Sequence, residues 1–328
     1  MIPSQVICVG EALVDQISNN SDGVCKNYLG GAPANVACAL SKLGIATAFI
    51  GSLGDDKFGK KFLNLFRDLA INSQFIQIDK NFPTRIIKVF VDKNGDRSFG
   101  GFANSQNFFA DEMLDGKLIE SNKIMLQNLM KDAKYLISGT NLLASEKSSE
   151  ALLTLINNAS NSDISIVIDA NWRDIFWRNS KDSSQFVIKD QVQKIKNFLS
   201  KADILKLSHE EANLFFDDDN PFQISKSLSK NPDVIITNGE KPISWFIDGI
   251  QDVTQVSKAS RIIDTTGAGD SFLAGLISQF LSQNVNSTQK SLENHIKFAS
   301  TCGLITCLGE GAIEPQPSFG QIQDFLRS

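Results

Sequence analysis

The sequence contains no run of basic residues. Its 32 lysines and arginines are outnumbered by 37 aspartates and glutamates, which gives a formal net charge of −5 at pH 7. Binding to nucleic acids or to anionic membranes depends on clustered positive charge, so the composition argues against both kinds of partner. We therefore expect a small-molecule ligand.

Residues that bind zinc or form disulfides are also scarce. The sequence has two histidines without His-Glu-x-x-His spacing, so a histidine-based zinc site is not expected. Its five cysteines, an odd number with no Cys-x-x-Cys pair, predict reduced and mostly buried thiols. No segment offers ~18 uninterrupted apolar residues, and the first residues include no basic leader. These absences predict a cytoplasmic protein.

Apolar runs typical of strands alternate with amphipathic segments typical of helices. Six strands are predicted, at residues 5–10, 46–51, 134–139, 164–170, 202–208 and 233–239. Helical segments include residues 33–44 and 271–283. Strands of nearly continuous valine, isoleucine and leucine are buried on both faces, and with alternating helices they indicate a doubly wound, mostly parallel sheet flanked by helices. We predict a single α/β domain over residues 1–328.

Two regions interrupt this alternation. Residues 85–104 carry β-branched runs around the turn Asp-Lys-Asn-Gly-Asp, which is typical of a β-hairpin. Residues 13–29 lack helical periodicity and contain the turn Ser-Asn-Asn-Ser-Asp-Gly. We predict that the two regions form a small antiparallel β-sheet lid.

The segment DTTGAGDSF, residues 264–272, predicts an anion site. Gly267, Ala268 and Gly269 precede a helix whose first amides lack internal partners and lie at the positive end of the helix dipole. A dinucleotide-binding turn is disfavoured, because Phe272 stands where Gly-x-Gly-x-x-Gly requires its third glycine. The sequence also has no P-loop motif.

Asp270 indicates what the anion site does. With an ordinary pKa of ~3.9 its carboxylate would be ionised at pH 7 and would repel a permanently bound pyrophosphate. Beside a hydroxyl that attacks a phosphoryl group, however, it would act as general base while the amides neutralise the developing charge. We interpret Asp270 as that base; the alternative is that it only complements the helix dipole.

Two segments suit a polyhydroxylated ligand. Asp15 follows the first predicted strand, where ligands collect in parallel sheets, and its carboxylate could accept bonds from two hydroxyls. Gly30 and Gly31 permit close approach to the backbone, and the Asn35 amide can donate and accept. The structural alternatives are a loop-capping aspartate and an ordinary turn before a helix.

Other candidates follow the later strands. Glu211, at a strand-to-helix junction, could hold Mg²⁺ directly or through water, or only complement the helix dipole. Residues 236–242 end a strand in a glycine turn suited to a nucleotide. Asp169, Asn171 and Arg173 lie beyond another strand end.

Seven segments, taken in order, resemble the ribokinase-like (PfkB-type) carbohydrate kinases: GEALVD, GGAPANVA, GSLGDDKFG, GDRSFGGF, DANWR, KLSHEEA and DTTGAGDSF. The resemblance extends from Gly10 to the ending GA-x-x-x-x-P at Gly311, Ala312 and Pro317. GDRSF, N-W-R and KLSHEEA are most similar to fructokinases.

The resemblance implies an ATP- and Mg²⁺-dependent transfer of the γ-phosphate to a primary sugar hydroxyl. It implies fructose as the substrate, with 2-keto-3-deoxygluconate or ribose as alternatives from the same fold. It further implies a lid that can join a homodimer. A non-catalytic sugar- or nucleotide-binding module is the alternative from another class.

The resemblance also assigns roles to residues. Asp270 falls on the catalytic base, and Gly267, Ala268 and Gly269 fall on the anion hole. The sugar-binding positions are Asp15, Gly30, Gly31, Asn35 and Arg173. The positions for the adenine nucleotide are Thr237, Gly239 and Ser300, and Glu211 matches a magnesium position. The positions for a monovalent cation such as K⁺ are Asp264, Thr266, Thr306, Gly309 and Gly311.

Three positions depart from the family pattern. Ser208 stands where the N-x-x-E motif has asparagine, a form that is usual in fructokinases. Asn238 replaces an apolar residue in the nucleotide loop, and Pro242 replaces its final glycine. Because proline has no backbone N–H, we expect the loss of one nucleotide contact there.

Overall fold

A computed structural model describes residues 4–19, 25–91, 97–103, 108–177, 185–259, 261–282 and 288–327. Its strands are β1 Val6–Val9, β2 Leu13–Asn19, β3 Cys25–Gly30, β4 Thr47–Gly54, β5 Asn72–Asp79, β6 Ile86–Val91, β7 Arg97–Phe102, β8 Tyr135–Ser138, β9 Ser165–Asp169, β10 Ile204–Ser208, β11 Asp233–Asn238, β12 Lys241–Ile247 and β13 Ile250–Thr254.

The helices lie mainly between these strands. They are α1 Ala32–Lys42, α2 Lys57–Asp68, α3 Gly116–Ser121, α4 Lys123–Met130, α5 Glu146–Ser160, α6 Asp174–Trp177, α7 Gln185–Leu199, α8 His209–Phe216, α9 Pro221–Ser227, α10 Ala268–Ser282, α11 Gln289–Thr306 and α12 Phe319–Arg327. Two short 3-10 helices, Ala110–Met113 and Asn141–Ala144, complete the elements of the described residues.

The large sheet has the strand order β13-β12-β11-β10-β9-β8-β1-β4-β5. Its neighbours pair in parallel from β11 to β5, and β12 and β13 add an antiparallel edge. The six strands predicted from the sequence correspond to β1, β4, β8, β9, β10 and β11, so the predicted fold class is confirmed. The chain leaves β1 first toward β4 and β5 and later toward β8, and ligands bind at such a reversal in strand order.

Strand β1 shows why the sheet is covered on both faces. Successive side chains of a strand point to opposite faces. Val6 and Cys8 belong to the apolar cluster that includes residues of α1 and α10, whereas Ile7 and Val9 belong to the cluster that includes residues of α5 and α7. A strand of four buried apolar residues therefore contributes to two cores, as its sequence predicted.

The small sheet has the order β3-β2-β6-β7 and combines the two interrupting regions. Pairs β2–β3 and β6–β7 are antiparallel, but β2 and β6 pair in parallel. The prediction of a wholly antiparallel sheet is therefore wrong at its centre. Strands that are close in the sequence commonly pair antiparallel, whereas β2 and β6 are separated along the chain by β3, α1, β4, α2 and β5. Residues 20–24, 92–96 and 104 of the predicted lid lie outside the described residues.

The cysteines and the lengths of the helices bear on two further predictions. All five cysteines are free thiols; Cys25 is exposed and the other four are buried. This confirms the prediction of free and mostly buried thiols. Within the described ranges, no helix combines the length and apolar character needed to span a bilayer.

Arg85 joins the small sheet to the main body. It immediately precedes β6, and its carbonyl accepts a bond from the amide of Val14 in β2 at 2.9 Å. Its buried guanidinium donates to Asp111 Oδ2 at 2.9 Å and contacts Glu112 Oε1 at 3.0 Å. The Arg85 Cζ atom also lies 4.8, 4.5 and 4.6 Å from the ring centroids of Phe102, Phe109 and Phe176.

Replacing Arg85 with methionine should destabilise the protein by ~3–5 kcal/mol, because two buried carboxylates would lose their counter-charge. Urea denaturation followed by circular dichroism measures this free energy of unfolding. Lys60→Met is the matched control, since Lys60 is exposed and 3.5 Å from Asp55, and it should change stability by less than ~1 kcal/mol. Equal effects of the two substitutions would contradict the anchoring role of Arg85.

Candidate active site

Two cavities meet at the glycine turn that precedes α10. A polar cavity of about 450 Å³ is lined by residues of β2 and β6 and by residues at the carboxyl ends of β9 and β10. A second cavity of about 540 Å³ is lined largely by apolar side chains, among them Ile243, Val256 and Phe272. Thr237, Thr265 and Gly269 line both. A ligand spanning the two cavities would therefore pass the turn.

The backbone of this turn requires glycine. Gly267 has φ +75°, and a Cβ there would lie 2.8 Å from Cα of Ala312. Gly267 and Gly269 line the polar cavity, and Ala268 and Gly269 line the apolar one. The amide of Ala268 donates to the Thr265 carbonyl at 3.3 Å, so part of its capacity is used within the turn. The predicted anion site thus lies between the two cavities.

Asp270 lies in the first turn of α10 and lines the polar cavity. It is buried, and Asn35 Nδ2 donates to its Oδ2 at 2.8 Å. Burial raises the pKa of Asp270 to about 6, helped by the charge of Asp169 and opposed by Asn35, Lys206 and Arg173. The ordinary pKa expected from the sequence is therefore wrong, because that expectation omitted burial. The carboxylate is still mostly ionised at pH 7, as a base requires.

The structure brings four of the five predicted sugar-binding residues to the polar cavity: Asp15, Gly31, Asn35 and Arg173. Asp15 lies within β2 of the small sheet rather than in a loop beyond β1.

Gly30 and Gly31 make room for the protein's own atoms. A Cβ on Gly30 would lie 2.8 Å from Asp15 Oδ2, and one on Gly31, at φ +99°, would lie 2.6 Å from the Glu11 carbonyl oxygen. The two glycines therefore shape the cavity by admitting a carboxylate and a backbone segment.

Glu11 and Asn141 also line the polar cavity, and sequence reasoning missed both. Glu11 Oε1 accepts bonds from Asn141 Nδ2 at 2.9 Å and from the Ala32 amide at 3.3 Å. Burial raises the pKa of Glu11 to about 7. A carboxyl group directly after an apolar strand was the available signal for Glu11, but Asn141 lies in a 3-10 helix without a recognisable pattern.

Sequence reasoning named Asp169 but missed Lys206 and the pairing of the two side chains. They are register partners on β10 and β9, both are buried, and Lys206 Nζ lies 3.0 and 2.8 Å from the two Asp169 carboxylate oxygens. Burial alone would lower the pKa of Lys206, but the charges of Asp169, Glu211 and Asp270 hold it above its ordinary value. A lysine inside a strand of leucine and isoleucine was the signal in the sequence.

Glu211 caps α8. Its Oε2 accepts from the Ser208 amide at 2.8 Å, Ser208 Oγ accepts from the Glu211 amide at 3.2 Å, and Glu211 Oε1 accepts from the Trp172 amide at 2.7 Å. Ser208 in place of asparagine is thus the N-cap of a capping box.

Magnesium binding by Glu211 stays a prediction. The described part of the chain contains no group of three or more His, Cys, Asp and Glu residues placed to hold a metal. Glu211 nevertheless lines the polar cavity, and each carboxylate oxygen has a second lone pair. These atoms fit an ion held through water better than one held directly.

The predicted nucleotide residues Thr237, Gly239 and Ser300 all line the apolar cavity. Asn238 and Pro242 do not belong to its lining, and Pro242 is exposed on β12. The structure therefore gives no support to the expected loss of a nucleotide contact at Pro242.

The predicted cation segments lie side by side. Asp264 Oδ1 accepts from the Thr266 amide at 2.8 Å and hydroxyl at 2.7 Å, and its Oδ2 accepts from the Gly311 amide at 2.9 Å. The Thr306 hydroxyl donates to the Cys302 carbonyl at 2.9 Å, and the Gly309 amide donates to the Thr306 carbonyl at 3.4 Å. Binding of a monovalent cation there stays a prediction.

Asp270→Asn should stabilise the protein above pH ~6, by up to ~3 kcal/mol, because tenfold in an acid constant corresponds to ~1.4 kcal/mol. The folded-state pKa of about 6 lies above the ordinary aspartate value of 3.8, so the native state holds this proton more tightly than the unfolded state. Wild-type stability from this group is highest below pH ~4 and falls as pH rises toward 6. Urea denaturation from pH 4 to 8 measures the difference, which should vanish at pH 4. A pH-independent difference would contradict the shifted pKa.

The chain is similar to known proteins along most of its length. Residues 3–318 match the model of the pfkB family carbohydrate kinases. The chain is 31% identical to probable fructokinase-5 of Arabidopsis thaliana, over 98% of this chain and 97% of that protein. Its fold is similar to that of fructokinase from Vibrio cholerae O395 in the fructose, ADP and calcium ion bound form, with TM-score 0.82, 24% identity, and coverage of 99% and 100%. Fructokinase from Xylella fastidiosa with bound ATP gives TM-score 0.82, 22% identity and 98% coverage of both chains. The chain therefore belongs to the pfkB family of carbohydrate kinases.

Proposed function

We propose that the protein transfers the γ-phosphoryl group of ATP to the primary hydroxyl of D-fructose, which yields D-fructose 6-phosphate and ADP. The observation that carries this proposal is the buried carboxylate of Asp270 at the turn where the polar and apolar cavities meet. One ligand on each side of that turn would bring a sugar hydroxyl and a phosphoryl group together beside a base.

Asp270 acts as the general base in this proposal. The hydroxyl oxygen of the sugar attacks the γ-phosphorus, the bond from that phosphorus to the β,γ-bridging oxygen breaks, and Asp270 accepts the hydroxyl proton. Its pKa of about 6 leaves the carboxylate ionised at neutral pH and makes it more basic than an exposed aspartate. The amides of the turn, chiefly those of Gly267 and Gly269, form the anion hole for the phosphoryl oxygens.

The polar cavity is the proposed sugar site. Asp15, Asn35 and Arg173 supply a carboxylate, an amide and a guanidinium around it, a mixture suited to neutral hydroxyl groups. The fructokinase names of the relatives support fructose among the possible sugars.

The apolar cavity is the proposed site for the adenine nucleotide, with Thr237, Gly239 and Ser300 in its wall. Mg²⁺ would be held near Glu211, and it neutralises phosphate charge when bound. A K⁺ ion near Asp264 and Gly311 would help to hold the glycine turn in position. We further propose that the protein dimerises through the small sheet and is cytoplasmic.

A substrate panel tests the function directly. ADP release with Mg²⁺-ATP should be fastest with fructose and slower with ribose, 2-keto-3-deoxygluconate and glucose. Preference for ribose or 2-keto-3-deoxygluconate would replace the proposed substrate and leave the reaction class intact. Sugar or nucleotide binding by calorimetry without any turnover would instead indicate a non-catalytic binding module.

Asp270→Asn should lower kcat by ~10²-fold or more, because it replaces the proton-accepting carboxylate with an amide of similar shape. In the wild type, kcat/KM should fall as pH decreases below about 6, where Asp270 becomes protonated. Initial rates from pH 5 to 9 measure both effects, and ADP affinity by calorimetry serves as the control for an intact nucleotide site. Near-normal turnover of the variant would exclude the base role.

A further inference from the structure

Lys206 is buried in an unusual place. It lies within β10, between Leu205 and Leu207, whose side chains are fully buried. A charged group in the centre of a sheet loses its hydration, and proteins keep one there only where it is paired. Asp169 on the neighbouring strand supplies the pairing, with two contacts to Lys206 Nζ.

The ammonium group of Lys206 lies beside the glycine turn. A Cβ added to Gly269 would stand 3.2 Å from Lys206 Nζ, so no side chain of Gly269 lies between the ammonium and the turn. Both residues line the polar cavity, and Gly269 lines the apolar cavity as well. Lys206 is thus located where the two cavities meet.

Lys206 can also donate a further hydrogen bond. An ammonium group has three donors. Among the described residues its hydrogen-bond acceptors are the two oxygens of Asp169. The neighbouring carboxylates of Asp169, Glu211 and Asp270 hold the pKa of Lys206 above its ordinary value despite burial, so the group stays cationic.

We propose that Lys206 is a catalytic residue whose ammonium contacts the phosphoryl group as it passes between the two cavities. This inference rests on the proposed function and adds a residue to its site. Phosphoryl transfer spreads negative charge over three equatorial oxygens, and a fixed cation in a site with little water stabilises that charge. Lys206 transfers no proton; the sugar hydroxyl proton goes to Asp270 and the β,γ-bridging oxygen leaves with ADP.

A structural alternative is that Lys206 only neutralises Asp169. The two roles differ in their dependence on the γ-phosphate. A neutralising residue affects ADP and ATP binding alike, whereas a phosphoryl ligand favours nucleotides that carry a third phosphate. The comparison of ADP with a non-hydrolysable ATP analogue therefore separates them.

The experiment measures affinities for ADP and β,γ-imido-ATP by calorimetry, with Mg²⁺ and fructose present, in the wild type, Lys206→Met, and the double variant Lys206→Met/Asp169→Asn. The double variant removes both charges together, so it tests the proposal if the single variant fails to fold. Asp169→Asn, which keeps the ammonium, is the matched control.

Loss of Lys206 should weaken the imido analogue ~10-fold or more relative to ADP, while Asp169→Asn should keep the wild-type ratio of the two affinities. In the folded variants that lack Lys206, kcat should fall ~10²-fold or more. An unchanged affinity ratio in those variants would overturn the proposal, even with a shifted pH profile. If no sugar in the panel is phosphorylated but the ratio still changes, the phosphoryl contact stands and only the proposed substrate reaction fails.

Discussion

Burial of charge at the carboxyl edge of the large sheet is the constraint on which the candidate site depends. Asp270, Asp169 and Lys206 are all buried, and the charges of Asp169 and Lys206 both act on the pKa of Asp270. Carboxylates and ammonium groups withdrawn from water must be paired or shifted in pKa. Here the lysine is paired with one aspartate, and the other keeps an elevated pKa of about 6. The same burial that costs stability makes Asp270 more basic.

The small sheet completes this environment. Asp15 and Ile87 come from β2 and β6 and form part of the polar cavity wall. Arg85 fixes the sheet to the main body through buried carboxylates and three aromatic rings. In addition, Tyr28 Oη donates to Glu310 Oε2 at 2.6 Å, which joins β3 to the segment next to Gly311. The small sheet, which contributes to the cavity wall, is therefore fixed at two points.

Much of the fold could be predicted because its signals are local. Six buried strands were visible as continuous runs of β-branched and apolar residues. Helix α10 was visible from the glycine turn before it, although it begins at Ala268, three residues earlier than predicted. The parallel pairing of β2 with β6 was not visible, because nothing in either hairpin specifies how two distant segments align. The antiparallel edge formed by β12 and β13 was likewise absent from the prediction.

The sequence by itself determined the residue types at the site: the glycine turn, Asp270, Asn35 and Asp15, each carried by a short segment whose chemistry is local. Only the tertiary structure decided their environment. It placed Asn35 2.8 Å from Asp270, paired Lys206 with Asp169 across two strands, and raised the pKa of Asp270 to about 6. Burial and field strength depend on what surrounds a group in space, and those neighbours are distant in the chain.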